Sequence, residues 1–209
     1  MASIRAFVLD WDGVFNDSRK TGQSESYFTE VDSMGTNLLR YSSWLKNKNT
    51  LPFTAVISGE QNNAAKFFLQ REHFHTGYFM AKDKLVAFRH FCEEHQLKPK
   101  EVAFVFDDVL DLSLARIAGL RICIHRNANP AFNDFVIKNK LADYVTGNTS
   151  GNFALREACE LMISASGNAE RVFSSRMKND ADYQSYIRER NTPRTVLLEV
   201  KNEKLKPLR

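Results

Sequence analysis

Two apolar runs in this chain end abruptly in paired carboxylates. Ala6-Phe7-Val8-Leu9 leads straight into Asp10-Trp11-Asp12, and Val102-Ala103-Phe104-Val105-Phe106 leads into Asp107-Asp108, with Asp111 close behind. Short, unalternating apolar runs read as strands of a parallel sheet covered on both faces. An open parallel sheet binds ligands beyond the carboxyl ends of its strands, where both acid groups fall. If the first strand stayed extended through Asp12, Asp10 and Asp12 would share one side of it. Gly13 would then let the backbone turn close past a ligand.

The rest of the chain fits the same frame. Further strands are expected at Phe53–Ile57, Gly77–Met80, Leu120–Ile124 and Asp143–Thr146. Between them lie amphipathic helices: from a cap at Asp32 or Ser33 to about Asn47, from Asn62 to Glu72, from Leu85 to His95, from Leu112 to Ala118, from Phe132 to Asn139 and from Phe153 to Ser164. Alternating strands and helices predict an α/β fold, a mostly parallel sheet flanked by helices. The polar stretch Phe15–Glu30, centred on Lys20-Thr21-Gly22-Gln23, reads equally as a β-hairpin over the site or as a plain surface loop. Residues 1–165 are taken as the main domain. Residues 166–209, more polar and without an evident core, are taken as a C-terminal extension that must lean on something.

Two carboxylates so close repel unless a cation or a proton lies between them. A solvated turn is the simplest reading. A calcium loop does not fit, because Gly13 is misplaced and Thr21 stands where a bidentate Glu is needed. A Mg²⁺ site for phosphate chemistry fits, since two strands ending in acids gather several carboxylate oxygens around one hard cation. Such a site also wants a hydroxyl and a cation. Ser58-Gly59, at the end of the second strand, supplies a hydroxyl facing helix-start amides. Lys84, in the first turn of a helix, is disfavoured there by the helix dipole unless an anion is near; Lys82 is the alternative. An aspartate nucleophile forms an aspartyl-phosphate that water then hydrolyses. Asp10 is therefore the expected nucleophile and metal ligand. Asp12 is the expected general acid/base and ligates through its backbone carbonyl. Asp107 is the main distal ligand, Asp108 or Asp111 holds metal waters or Lys84, and Ser58 and Lys84 hold the phosphoryl group.

Asp10-Trp-Asp-Gly-Val, Ser58-Gly59, Lys84 and Phe106-Asp107-Asp108-…-Asp111, in that order, resemble the four motifs of the haloacid dehalogenase superfamily. Over roughly residues 4–162 the chain is most similar to the small capless branch typified by 3-deoxy-D-manno-octulosonate 8-phosphate phosphatases. Asp17, Phe28, Asp32, Gly35, Asp83-Lys84-Leu85, Ala142-Asp143-Tyr144-Val145 and Gly151…Ala154-Leu-Arg156-Glu157 carry that similarity. The resemblance implies a Rossmann-like fold without a cap domain, Mg²⁺, and a homotetramer in which a hairpin flap and a neighbour's tail complete each site. It implies a phosphorylated sugar acid as substrate. Glu60 replaces the usual Arg after Ser58-Gly59, and with Asp32-Ser33 this looks more like the branch acting on nine-carbon, sialate-type 9-phosphates. Gly59, Glu60, Asp32 and Ser33 are accordingly candidate substrate contacts. Phe106 replaces the usual Gly and threatens to crowd the metal.

Other classes are weighed against this. A receiver-type signalling domain also combines acids, Ser and Lys, but the Asp10-x-Asp12 spacing argues against it. A degenerate, non-catalytic scaffold would draw on Phe106 and the long tail. The net charge of +4 suits an anionic substrate, and its dispersal does not call for nucleic acid. Three widely spaced cysteines read as reduced, buried thiols. No apolar run reaches membrane-spanning length and the start lacks a signal-peptide core, so no membrane partner and a cytoplasmic location are expected.

Overall fold

The computed structural model describes residues 4–20, 26–202 and 204–208. In chain order the elements are β1 (Ala6–Leu9), α1 (Glu30–Lys46), β2 (Phe53–Ile57), α2 (Asn63–Arg71), β3 (Thr76–Phe79), α3 (Lys84–Glu94), β4 (Val102–Phe106), α4 (Leu112–Ala115), β5 (Leu120–His125), α5 (Pro130–Lys138), β6 (Tyr144–Thr149), α6 (Ala154–Ala165), α7 (Ala169–Lys178), α8 (Ala181–Arg190), β7 (Val196–Lys201) and β8 (Lys204–Pro207). One sheet runs β6-β5-β4-β1-β2-β3-β7-β8, parallel throughout except for the last pair. β1 is central, with β2 on one side and β4 on the other, and Leu9 is in register with both Val56 and Val105. The chain leaves β1 in one direction and returns beside it from the other. This makes the β1/β4 boundary the switch point where such sheets open a crevice.

The strand sequences dictate the two cores. Phe7 and Leu9 of β1 and Ala103 and Val105 of β4 face α1, α2, α6 and α8. Ala6, Val8, Val102, Phe104 and Phe106 face α3, α4 and α5. Helix starts are set by short polar caps. Thr29 accepts from the Asp32 amide at 3.1 Å, Asn62 from Ala65 at 3.2 Å and Asp83 from Leu85 at 2.9 Å. The cap of α1 is thus Thr29, three residues before the expected Asp32, because Thr29 stays extended and has a hydroxyl in reach.

The segment after residue 165 leans on its own chain. Val172, Tyr183 and Tyr186 are buried in the α1/α6 core, the Tyr186 hydroxyl donates to the Asn37 carbonyl at 3.0 Å, and β7 pairs with β3. Lys and Pro on β8 blunt the new sheet edge, as edge strands require. Of the polar stretch 15–30, the described residues form no strand, and the turn at 21–25 on which the hairpin reading rests lies outside the described residues. Among the described residues no inserted cap domain occurs, and no helix is long and apolar enough to cross a membrane. Cys92, Cys123 and Cys159 are free and buried.

His75 is not the surface residue its polar surroundings suggest. It packs edge-on against the stacked rings of Phe53 and His95, and burial, with Arg40 and His95 nearby, lowers its imidazole to about 3.

Candidate active site

β1 stops at Leu9, and the Asp10 amide still reaches across to the Val105 carbonyl at 3.0 Å, which pins Asp10 beside the end of β4. Asp107 follows β4 directly, and a 3₁₀ turn over Val109–Asp111 brings Asp111 back under it. Asp10, Asp107 and Asp111 are all buried, and each offers an oxygen within 4.8 Å of the others. Lys84 enters from the first turn of α3. Its Nζ lies 2.6 Å from Asp10 Oδ1 and 2.5 Å from Asp111 Oδ1. Burial alone would lower this ammonium, but the two carboxylates hold it above the ordinary lysine range.

The acids remain short of positive charge. Burial and the Asp10 charge hold Asp107 well above the usual carboxylate range, with Arg126 pulling the other way. The same two causes push Asp111 up to about 6 against the pull of Lys84. Asp107 Oδ2 and Asp12 Oδ1 are buried without a hydrogen bond. Buried oxygens left unpartnered beside raised carboxyls are what a hard divalent cation satisfies. Oxygen-only donors on two neighbouring strand ends therefore fit a divalent metal.

The structure separates the remaining candidates. Ser58 is buried at the end of β2, its Oγ accepting from the Glu60 amide at 3.2 Å. A side chain at Gly59 would meet only open space. Glu60 lies at an exposed rim, paired with Lys82 at 2.6 Å, which removes Lys82 as a rival to Lys84. Asp12 does not continue the strand. It lies in the turn over residues 11–15, outside the Asp10–Asp107–Asp111 cluster, and its side chain pairs with Lys20 at 2.7 Å. Asp108 is half-exposed and caps the 3₁₀ turn through the Val109 amide at 2.6 Å, so of these two acids it is Asp111 that holds Lys84. Asp111 itself spends its side chain on Lys84 and, closing a capping box, on the Asp108 amide, and does not cap α4.

Asp32 and Ser33 are a correction. Both are buried in helix packing: Asp32 accepts from Thr29 and, at 3.0 Å, from the Arg156 amide, while Ser33 donates to Glu72 at 3.1 Å. Packing against α6 and Glu72 turns them inward, so neither offers a free group to a substrate. Phe106 also departs from expectation. It is fully buried on the α3/α4 face, stacked on Phe104 at 5.5 Å, and does not stand between Asp10 and Asp107.

Sequence reasoning missed Arg126 and the partner of Asp12. Arg126 follows β5 directly and places Nε 3.1 Å from Asp107 Oδ2. A charged residue at the carboxyl end of the strand next to β4 was the available signal. The base of the polar stretch is tied down by Ser26, which accepts from Trp11 Nε1 at 2.7 Å and from the Asn62 amide group.

No family model matches the chain. The 3-deoxy-D-manno-octulosonate 8-phosphate phosphatase KdsC of Escherichia coli K12 is 28% identical over 180 residues, covering 81% of this chain and 85% of that protein. A haloacid dehalogenase superfamily protein of subfamily III A from Legionella pneumophila superposes with a TM-score of 0.68 at 27% identity, over 84% of this chain and 90% of the other. In sequence and in fold this chain is similar to haloacid dehalogenase superfamily phosphatases. The phosphatases it resembles are phosphoric monoester hydrolases, which favours that reading over the receiver one. The 3-deoxy-D-manno-octulosonate 8-phosphate phosphatase of Moraxella catarrhalis, solved with magnesium, phosphate and KDO, shares the fold at a TM-score of 0.65 and 23% identity, over 82% of this chain and 92% of that one.

Proposed function

We propose that this phosphatase uses Mg²⁺ to hydrolyse the phosphate monoester of a 2-keto-3-deoxy sugar acid, of the octulosonate 8-phosphate or nine-carbon 9-phosphate type. The observation that carries the reading is the buried Asp10–Asp107–Asp111 cluster tied together by Lys84 at the ends of adjacent strands. Asp10, Asp107 and the Asp12 carbonyl would hold the Mg²⁺. When bound, the ion offsets the repulsion between a carboxylate nucleophile and a doubly negative phosphate.

The chain's own groups then have distinct tasks. Asp10 attacks phosphorus, and the bond to the sugar oxygen breaks as the aspartyl-phosphate forms. Asp12 gives the leaving oxygen its proton, then takes one from the water that cleaves the phosphoenzyme. Lys20, which holds Asp12 at 2.7 Å, keeps that carboxyl aimed from the polar stretch. Lys84 and the Ser58 hydroxyl bind the phosphoryl oxygens, where developing charge is largest. Gly59 leaves space for the substrate, and Glu60 and Lys82 at the rim offer an acceptor and a donor to sugar hydroxyls and a carboxylate.

Exposed Tyr27, Val31, Phe67, Val109, Leu110 and Phe153 suit burial against other copies, and a cytoplasmic homotetramer is the assembly we propose. Phosphate release from a panel of phosphorylated 2-keto-3-deoxy acids of six, eight and nine carbons tests the substrate. The proposal expects the eight- or nine-carbon ester to lead by kcat/KM. Equal, low rates on all of them contradict it.

A further inference from the structure

We propose that Arg126 competes with the divalent cation for Asp107 and so sets how tightly this chain binds metal; the inference rests on reading Asp10 and Asp107 as metal ligands. Arg126 Nε lies 3.1 Å from Asp107 Oδ2, but the contact lacks hydrogen-bond alignment, and Oδ2 has no hydrogen bond. The charge is next to the oxygen without engaging it fully. The guanidinium is wedged between the turn after β1 and the end of β4. A Cβ on Gly13 would stand 1.9 Å from Asp107 Oδ2 and 2.8 Å from Arg126 Nη2.

Two cations sharing one carboxylate oxygen repel, and a guanidinium cannot relieve this by losing its proton. Metal binding therefore works against Arg126 in place, or displaces it. The structure supplies somewhere for it to go. Nη2 already donates to the Ser18 hydroxyl, and the half-exposed Asp108 carboxylate lies 3.9 Å from Nη1. Arg126 thus has an alternative seat, and Asp107 can exchange one cation for another.

Titration calorimetry with Mg²⁺ on the purified chain tests this, with circular dichroism to confirm folding. Arg126→Gln is expected to bind Mg²⁺ at least about fivefold more tightly than wild type at low ionic strength. Arg126→Lys is expected to stay closer to wild type because it keeps a charge. In chelator, Arg126→Gln is expected to melt below wild type and to gain more on adding Mg²⁺, since stabilisation by a ligand grows with the logarithm of its affinity. Equal or weaker Mg²⁺ binding by Arg126→Gln overturns the proposal while leaving the metal site standing. Asp107→Asn separates the two failures. If it binds Mg²⁺ as well as wild type, or if wild type binds none, the metal-ligand reading itself is overturned and this proposal with it.

Discussion

Gly13 lies so close against Asp107 that a Cβ there would stand 1.9 Å from the Asp107 Oδ2 atom. Its φ of +92° is a second constraint, since side chains rarely tolerate that conformation. The turn after β1 and the end of β4 approach this closely only because the residue between them has no side chain. Gly13→Ala is expected to push Asp107 out of the cluster. Mg²⁺ affinity and phosphatase activity should both fall by roughly two orders of magnitude or more, a 1 Å displacement being enough for that. Stability should fall by about 1 kcal/mol or more from the strained backbone. Calorimetry and urea unfolding on the same preparation measure the two effects.

Lys84 neutralises two buried carboxylates, so its loss is a charge-burial problem beside the catalytic role proposed for it. Lys84→Met leaves Asp10 and Asp111 facing each other and is expected to cost about 3–5 kcal/mol, the usual penalty for removing one partner of a buried pair. Urea midpoints check this. Lys84→Met, Asp111→Asn should recover part of the stability without recovering turnover.

His75 predicts an acid-side loss of stability that is independent of the metal. The Thr54 amide donates to His75 Nδ1 at 3.2 Å, so that nitrogen must be free of a proton. Burial first, then Arg40 and His95, lower the folded pKa to about 3 from the ordinary 6.5. The folded state therefore binds fewer protons than the unfolded chain between those values. The contribution is fully present above pH 6.5 and is lost as pH falls toward 3. The melting temperature should fall between pH 6.5 and 4. His75→Asn, which keeps an acceptor but cannot titrate, should flatten that slope.

The segment after residue 165 should not be removable. Tyr186 is fully buried and tilted against Tyr41 at 5.1 Å, and Trp44 Nε1 donates to Glu189 at 2.8 Å. Tyr186→Ala should cost about 3–5 kcal/mol by analogy with other large aromatic truncations. A chain ending at Ala165 would expose the β3 edge and the α1 face. It should fail to give a cooperative melt, as followed by circular dichroism.

These elements also show why some of the molecule was legible in its sequence and some was not. Strands β1, β2 and β4 are buried on both faces, so their apolar runs and the acids that end them stand out. Lys84 was readable because a cation in the first turn of a helix needs an anion. Asp32 and Ser33 were misread because position in a helix start says nothing about which way a side chain turns; packing against α6 and Glu72 decided that. Asp12 was expected beside Asp10, but the chain leaves the extended conformation at Asp10, and the period-two argument stops where the strand does. Arg126 shows in the sequence only as a charge at the end of a strand. Its role comes from β5 lying next to β4, a relationship of topology. The tail hid its core for a related reason: Tyr183 and Tyr186 are three apart in a polar helix and find their partners on α1, far earlier in the chain.

The central claim is that Asp10 attacks phosphorus with metal held by the acids around it. Steady-state phosphate release by wild type and Asp10→Asn, each with Mg²⁺ and with excess chelator, tests it most directly. The expected result is turnover by wild type only with Mg²⁺, and a folded Asp10→Asn variant slower by more than about a thousandfold. Wild-type rates from Asp10→Asn, or turnover undiminished in chelator, would contradict it.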